Sequence, residues 1–386
     1  MKRIRMAISA VVLATLAACG GGGDGNQAPA VHYSSMVVFG DSLSDVGTYG
    51  GVDGSGTPYG VGLVGGGKYN VNGANGKNWT ELLAAQLDLP APCAAETGLT
   101  PPTTGTASGN TAAALAVTPT MHTGCYNYAQ GGARVTNAVG PGNALTGCDL
   151  TIDPATQKPR NSSGCLGQLT VPVVTQIQNH LNAVGGSFRG DELVMVLAGA
   201  NDVFMNLATF AATVSGGGDQ ATAANAATTA MAQAATDLVG YIQSQLVAKG
   251  AKRITVMTVP DIAVTPYIMG ADATAPGTAS LVDQMVRTFN TTLKQGLSTT
   301  AGVMIIDAYA ASQEEHLDPA HYGLTNVSQQ ACSSALVATS LLCTDNTLIA
   351  GDVSHYLFAD GVHPTPYGYK LFAQLVSSKL VARGWM

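Results

Sequence analysis

The chain has 386 residues, of which 46% are hydrophobic and only 11% are charged. That length and apolar content suffice for the core of one large α/β domain or of two small ones. The 24 acidic residues outnumber the 17 basic ones, and lysine and arginine cluster only at the amino terminus. The composition therefore argues against a nucleic-acid partner, and it leaves the oligomeric state open.

The amino terminus has the pattern of an export signal. Lys2, Arg3 and Arg5 precede an apolar run over residues 6–18, which is short for a membrane-spanning helix. Without these three basic residues the chain carries 14 basic and 24 acidic residues, a net charge of about −10. We therefore predict a secretory signal and an acidic mature protein.

The signal ends in "LAAC", residues 16–19, which resembles the cleavage box of a bacterial lipoprotein. In that interpretation Cys19 becomes the lipidated first residue and holds the protein at a membrane of the cell envelope. The alternative is an ordinary secretory signal with a chance cysteine, which would release the protein. The glycine-rich stretch over residues 20–30 is typical of a flexible tether. The expected segments are a signal at 1–18, a lipidated cysteine and tether at 19–32, and a single folded domain at 33–386.

Six cysteines remain after Cys19, an even number that suggests disulfides in an exported chain: Cys93, Cys125, Cys148, Cys165, Cys332 and Cys343. The sequence does not choose among their fifteen pairings. Short loops favour Cys148 with Cys165 and Cys332 with Cys343, and Cys93 with Cys125 would complete the set. The segments 90–122 and 137–167 carry three of these cysteines and lack periodicity, which predicts disulfide-pinned surface insertions.

Short, continuous apolar runs predict strands buried on both faces, and they begin near Met36, Glu192, Arg253 and Gly302. Helical patterns lie between and after them: from Asn78, over residues 219–249, from Ser280, and from Pro366. Strands that alternate with helices are typical of a mainly parallel sheet covered on both faces. The sequence therefore predicts an α/β fold with three layers.

One hydroxyl stands at the tip of the first predicted strand. Ser42 follows the apolar run "MVVFG" by two residues. Parallel α/β sheets place reactive groups at the carboxyl ends of their strands, where a side chain is both fixed and accessible. A serine becomes a nucleophile only with a base, a group that orients the base, and donors for the developing oxyanion.

Two Asp/His pairs near the carboxyl terminus could supply that base. Asp360 and His363 are three positions apart, and so are Asp352 and His355. A carboxylate at this spacing can accept the Nδ1 proton of the imidazole and direct Nε2 toward a hydroxyl. Spacing alone does not decide between the pairs. His355 lies in an aromatic run that favours packing, whereas His363 lies in a turn of the kind that carries catalytic groups.

Two further stretches offer hydrogen-bond donors for an oxyanion. "NYAQGGARV" presents backbone N–H groups at Gly131 and Gly132, and "LAGANDVF" places the amide of Asn201 just past a strand. Each has an ordinary alternative, since Gly-Gly commonly forms a turn and Asn-Asp commonly caps a helix. Asp45 could support the Ser42 turn or cap a helix.

Metal and cofactor signals are weak. "EEHLDPAH", residues 314–321, lacks a two-histidine helical pattern, and we expect it to be a solvated loop. "GLVGGGKY", residues 62–69, resembles a nucleotide-binding loop but has Tyr69 where serine or threonine would bind magnesium. No cysteines are spaced as C-x-x-C. The sequence therefore predicts no metal or organic cofactor.

The four candidate segments, in their chain order, resemble the conserved blocks of the GDSL (SGNH) hydrolase family. The resemblance implies that Ser42 of "GDSL" is the nucleophile and that Asp360 and His363 of "DGVHP" complete a triad. It further implies that Gly132, Asn201 and the backbone N–H of Ser42 form the oxyanion hole. "GDSLSDVG" and "VPDIAVTP" suggest the plant-lipase-like branch that includes bacterial extracellular esterases and phospholipases.

The function implied by this resemblance is hydrolysis of carboxylic esters through an acyl-enzyme, with a small-molecule or lipid ester as substrate. The same acyl-enzyme could instead serve acyl transfer or phospholipid cleavage. A surface binding lipoprotein that keeps a hydrolase fold without catalysis is the alternative from another class.

Overall fold

A central parallel sheet organises the chain. The computed structural model describes residues 31–49, 67–99, 117–141, 149–153, 158–161, 170–337 and 339–386. Four strands pair in the order β1-β6-β7-β8, all parallel: β1 (Met36–Gly40), β6 (Leu193–Leu197), β7 (Ile254–Met257) and β8 (Val303–Ile306). These are the four strands that the apolar runs predict.

The strands are apolar throughout because both faces of the sheet are buried. In β1, Val37 and Phe39 join one core cluster, while Met36 and Val38 join the other. Side chains alternate between the two faces of a strand, so a continuous apolar run supplies both cores at once.

Helices cover both faces of the sheet, which confirms the three-layer α/β fold. The face that carries Met36 and Val38 packs against α1 (Trp79–Gln86) and α8 (Pro366–Arg383), through buried residues such as Leu83 and Val376. The face that carries Val37 and Phe39 packs against α2 (Val173–Ala183), α4 (Gln220–Tyr241) and α6 (Thr278–Leu297). The remaining described helices follow the carboxyl ends of strands or lie near them: α3 (Ala200–Ser215), α5 (Pro266–Thr274) and α7 (Ala308–Leu317).

Smaller strand pairs flank the sheet. Two are antiparallel, β2 (Glu96–Leu99) with β3 (Val117–Met121) and β4 (Asp149–Asp153) with β5 (Lys158–Asn161). The third is parallel and joins β9 (Asn326–Gln330) to β10 (Tyr356–Phe358). β10 leads into the turn that carries Asp360 and His363.

Two of the expected disulfides are confirmed. Cys93 bonds to Cys125, and Cys332 bonds to Cys343. The pairing of Cys148 with Cys165 and the expectations for Cys19 fall on residues outside the described ranges.

The prediction of a solvated loop at residues 314–321 is wrong for its first half. Glu314, Glu315 and His316 belong to α7, whereas residues 319–321 lie in the turn that follows. The helix lacks a periodic apolar signal because Ala308 is its only buried residue. Among the described residues, no helix has both the length and the apolarity needed to cross a membrane.

Candidate active site

The turn after β1 holds Ser42 in a fixed position. Gln176 of α2 receives a hydrogen bond from Gly40 N at Oε1 and donates one from Nε2 to Gly40 O, both at 2.8 Å. Asp41 Oδ1 accepts from Leu43 N at 3.1 Å, which closes the turn around Ser42. These hydrogen bonds fix the end of the strand and the turn that carries Ser42.

Asp45 ties this turn to the glycine pair. Its Oδ1 accepts from the backbone N–H groups of Gly47 and Thr48, each at 2.8 Å, and its Oδ2 accepts from Gly131 N at 2.9 Å. Asp45 does not cap any of the described helices; it supports the turn through these hydrogen bonds. The position of Gly131 and Gly132 relative to Ser42 therefore depends on a buried carboxylate.

Ser42, His363 and Asp360 form a continuous hydrogen-bonded chain. Ser42 Oγ lies 2.9 Å from His363 Nε2. His363 Nδ1 lies 2.9 Å from Asp360 Oδ1 and 2.8 Å from Oδ2, and His363 N donates to Asp360 Oδ1 at 2.8 Å. The turn therefore aligns both polar atoms of the imidazole, one with a carboxylate and one with a hydroxyl.

The environment of Asp360 favours its charged form. Burial alone would raise the pKa of Asp360, but the charge of His363 and several hydrogen bonds outweigh burial and lower that pKa well below its usual range. The donors include Ser340 N, at 2.7 Å from Oδ2, and Val362 N, at 2.9 Å from Oδ1. An ionised carboxylate next to Nδ1 stabilises a protonated imidazole.

The structure brings Gly132 and Asn201 to the same cavity as Ser42. Gly132 has φ of +81°, a conformation that side chains with a Cβ rarely adopt, so a glycine suits this turn. Asn201 is buried in the first turn of α3 and donates from Nδ2 to Ala133 O at 2.8 Å. An amide nitrogen has two hydrogens, so one such bond leaves a second donor for a substrate oxygen.

The neighbour of Asn201 fixes it against the glycine turn. Asp202 accepts from Arg134 Nε at 2.8 Å and from Val135 N at 3.0 Å. Both partners follow Gly132 within three residues, so an ion pair and a backbone hydrogen bond join helix α3 to the glycine turn. Neither Arg134 nor Asp202 was among the site residues expected from the sequence.

An aromatic ring that no sequence motif assigns to the site packs on His363. The centroids of Tyr69 and His363 are 4.5 Å apart, with the rings tilted by 37°. Tyr369 Oη donates to Tyr69 O at 3.0 Å, and the Tyr49 ring meets Tyr69 edge-on. The only sequence signal would have been an aromatic residue within a glycine-rich stretch.

The alternative pair, Asp352 and His355, does not form a hydrogen bond between its two side chains. His355 Nδ1 lies 2.6 Å from Gly323 O, and its ring stacks on Tyr367 at 4.2 Å. Asp352 is exposed and accepts from Ser354 N and Oγ. Within the described ranges, no group of three or more His, Cys, Asp or Glu side chains is placed to hold a metal ion.

Comparison with known proteins shows which sequences this chain resembles. The family model described as GDSL-like Lipase/Acylhydrolase matches residues 36–376. A GDSL esterase/lipase of Arabidopsis thaliana is 28% identical over 146 residues, which cover 34% of this chain and 40% of the relative. A second is 26% identical over 142 residues, covering 34% of this chain and 39% of that relative.

A longer match is the anther-specific proline-rich protein APG of Arabidopsis thaliana, 24% identical over 248 residues, or 60% of this chain and 46% of the relative. The chain thus spans less than half the length of these curated relatives. The family model nevertheless extends from the first residue of β1 into α8, across all the segments that surround the cavity. The chain belongs to the GDSL-like lipase/acylhydrolase family.

Proposed function

We propose that the protein is a serine esterase that hydrolyses carboxylic esters through an acyl-enzyme. The observation that carries the proposal is the hydrogen-bonded chain from Ser42 Oγ through His363 to Asp360, in a cavity also lined by Gly132 and Asn201. Family membership supports the same chemistry. A lipid ester or a smaller ester would be the substrate, and the mechanism needs no metal or organic cofactor.

In the first step His363 Nε2 takes the proton of Ser42 as Oγ attacks the acyl carbon. The carbonyl oxygen becomes an oxyanion, which would accept from Asn201 Nδ2 and from the backbone N–H groups of Gly132 and Ser42. Asp360 stabilises the imidazolium. His363 then gives the proton to the leaving alcohol, and the acyl group stays on Ser42.

In the second step water attacks the acyl-enzyme. His363 accepts a proton from that water, a second oxyanion occupies the same donors, and the carboxylic acid leaves as Ser42 recovers its proton. An alcohol in place of water would give acyl transfer, and a glycerophospholipid as the ester would give phospholipid cleavage. Product analysis distinguishes these outcomes.

The test is hydrolysis of p-nitrophenyl butyrate by purified variants. We expect Ser42→Ala and His363→Ala each to lower kcat by at least about 10³-fold, with an unchanged circular dichroism spectrum. Asn201→Ala should cost roughly 10²-fold to 10³-fold. His355→Ala is the matched control and should keep most of the activity, because His355 contacts Gly323 and Tyr367 and not Ser42. Loss of activity in His355→Ala with retention in His363→Ala would overturn the assignment.

We propose export and anchoring from the amino-terminal sequence alone. Residues 1–18 would be removed, Cys19 would carry the lipid, residues 19–32 would form the tether, and residues 33–386 would form one catalytic domain at the bacterial cell envelope. Membership of the plant-lipase-like branch that includes bacterial extracellular esterases is a proposal that rests on "GDSLSDVG" and "VPDIAVTP". Incorporation of labelled palmitate in a bacterial host tests the anchor, with Cys19→Ser as the control. Equal labelling of both forms, or of neither, would refute the anchor.

A further inference from the structure

A long crevice leads away from Ser42 along helix α3. The cavity that contains the catalytic groups has a volume of about 840 Å³. Phe204, Leu207, Ala208, Ala211 and Val214 line it. These residues recur every three or four positions, so they form one apolar face of the helix that begins next to Asn201.

The opposite wall comes from the segment after β7 and from α5. Ile262, Val264 and Ala271 line the cavity there. The Tyr267 ring meets Phe204 edge-to-face with centroids 5.9 Å apart, and Tyr267 N donates to Gly361 O at 2.9 Å. The second wall is thus attached to the turn that carries Asp360 and His363, and the crevice is continuous with the site of the chemistry.

The crevice is long enough to hold a whole hydrocarbon chain. Asn201 and Ser215 both line the cavity, and fourteen helical residues advance about 21 Å. The hydrocarbon core of a bilayer is about 30 Å thick and contains two layers of acyl chains, so one chain spans roughly 15 Å. A whole fatty acyl chain therefore fits along α3.

The acyl part of the ester is the part that follows α3. His363 must protonate the leaving alcohol, so the alcohol has to lie on the His363 side of the ester. In the proposed mechanism the carbonyl oxygen faces Asn201, and α3 extends away from that residue. The lining that α7 contributes includes the polar side chains Ser312 and Glu315, which suit a hydrocarbon less well than the apolar face of α3.

We infer that this crevice binds the acyl chain of a medium-chain or long-chain ester, an inference that rests on the proposed esterase function. Apolar walls favour methylene groups over water, and each methylene that leaves water strengthens binding by roughly fourfold. The small side chains of Ala208 and Ala211 provide the space. A tryptophan at either position closes the crevice at a defined distance from Ser42.

The experiment measures kcat/KM for p-nitrophenyl esters from acetate to palmitate, each below the concentration at which it forms micelles. We expect kcat/KM of the wild-type protein to rise with chain length. Ala208→Trp should lower kcat/KM for laurate and palmitate at least about tenfold while acetate stays within about threefold. Retained acetate hydrolysis shows that the variant is folded.

Ala211→Trp tests whether the chain-length cut-off depends on the position of the tryptophan along α3. Position 211 lies three residues farther along α3, about 4.5 Å, so its cut-off should move to chains about four carbons longer. Ala212→Trp is the matched control, because Ala212 is exposed on the same helix and is not part of the crevice lining. It should leave the whole series unchanged.

A second series keeps the acetyl group and lengthens the alcohol. The tryptophan variants should not change it. A chain-length loss in the alcohol series, or identical acyl profiles for Ala208→Trp, Ala211→Trp and wild type, would overturn this inference while esterase activity stands. Absence of hydrolysis for every ester by the wild-type protein would instead refute the proposed function.

Discussion

The ring of Tyr69 lies against the imidazole of His363, with 4.5 Å between the ring centroids. Neither residue is near the other in sequence, yet the contact covers the side chain that joins Ser42 to Asp360. An imidazole held by hydrogen bonds at both nitrogens can still rotate out of line when a bound substrate displaces the serine. Packing against an aromatic ring restricts that motion.

Loss of the Tyr69 ring should therefore slow catalysis without preventing folding. We expect Tyr69→Leu to lower kcat by about threefold to tenfold, since an aromatic pair contributes about 0.5–1.5 kcal/mol, and Tyr69→Phe to retain most of the activity. The measurement is kcat and its pH profile with p-nitrophenyl butyrate. A profile of Tyr69→Leu that matches wild type in height and position would show that the ring has no positioning role.

Gly131 should be required for the same ring contact. A Cβ at this position would overlap the Tyr69 ring, so Gly131→Ala must displace the tyrosine. We expect its kcat to resemble that of Tyr69→Leu, and the double variant to be no worse than either single one, because both changes remove one contact. Additive losses in kcat would mean that Gly131 acts elsewhere, for example through its bond to Asp45.

The Cys332–Cys343 disulfide should affect activity as well as stability. Ser340, within its loop, donates to Asp360 Oδ2, and Cys332 N donates to Ala359 O at 2.8 Å. Replacing both cysteines by alanine should cost about 3 kcal/mol in the free energy of unfolding and should also lower kcat. The control is Cys93→Ala with Cys125→Ala, which should lower stability but leave kcat nearly unchanged. Equal kcat for the two double variants would contradict this link to Asp360.

Asp41 should make stability depend on pH. Burial raises the pKa of Asp41 to about 7, and the hydrogen bond from Leu43 N and the charge of His363 offset burial only in part. Within the part of the chain that the structure describes, Asp41 Oδ2 has no hydrogen-bond partner. An unfolded aspartate loses its proton near pH 4, so between about pH 4 and pH 7 the folded chain holds a proton that the unfolded chain has released. Folding stability therefore falls as pH rises through that range.

The measurement is urea unfolding of Asp41→Asn and wild type at several pH values. Because asparagine stays neutral, the stability of the variant relative to wild type should increase by up to about 4 kcal/mol from pH 4 to pH 8. A constant difference for Asp41→Asn would show that the folded carboxyl ionises normally.

The parts of the fold that can be predicted from the sequence are those in which one segment contains its own signal. The strand at Met36 is apolar because both its faces are buried, and α8 begins at Pro366 as expected. Neither α3 nor α7 is among the predicted helices: α3 has an apolar face that the sequence analysis does not use, and α7 has Ala308 as its only buried residue. Helix α2 was not predicted either, although Val173 and Ile177 carry a periodic signal for it.

The residues of the site also divide into those with a local sequence signal and those without one. Ser42, Asp360 and His363 stand in short motifs whose spacing alone suggests their chemistry. Tyr69 and Arg134 reach the site only through tertiary contacts, to His363 and to Asp202. No local pattern reports such contacts, since they join segments far apart in the chain.

Reaction with a fluorophosphonate is the sharpest test of whether His363 activates Ser42, because only a serine with an adjacent base reacts rapidly. We predict one adduct on the intact protein, mapped by peptide mass spectrometry to Ser42 and lost in both Ser42→Ala and His363→Ala. An unmodified wild-type protein, or an adduct on a different serine, would contradict the proposed mechanism.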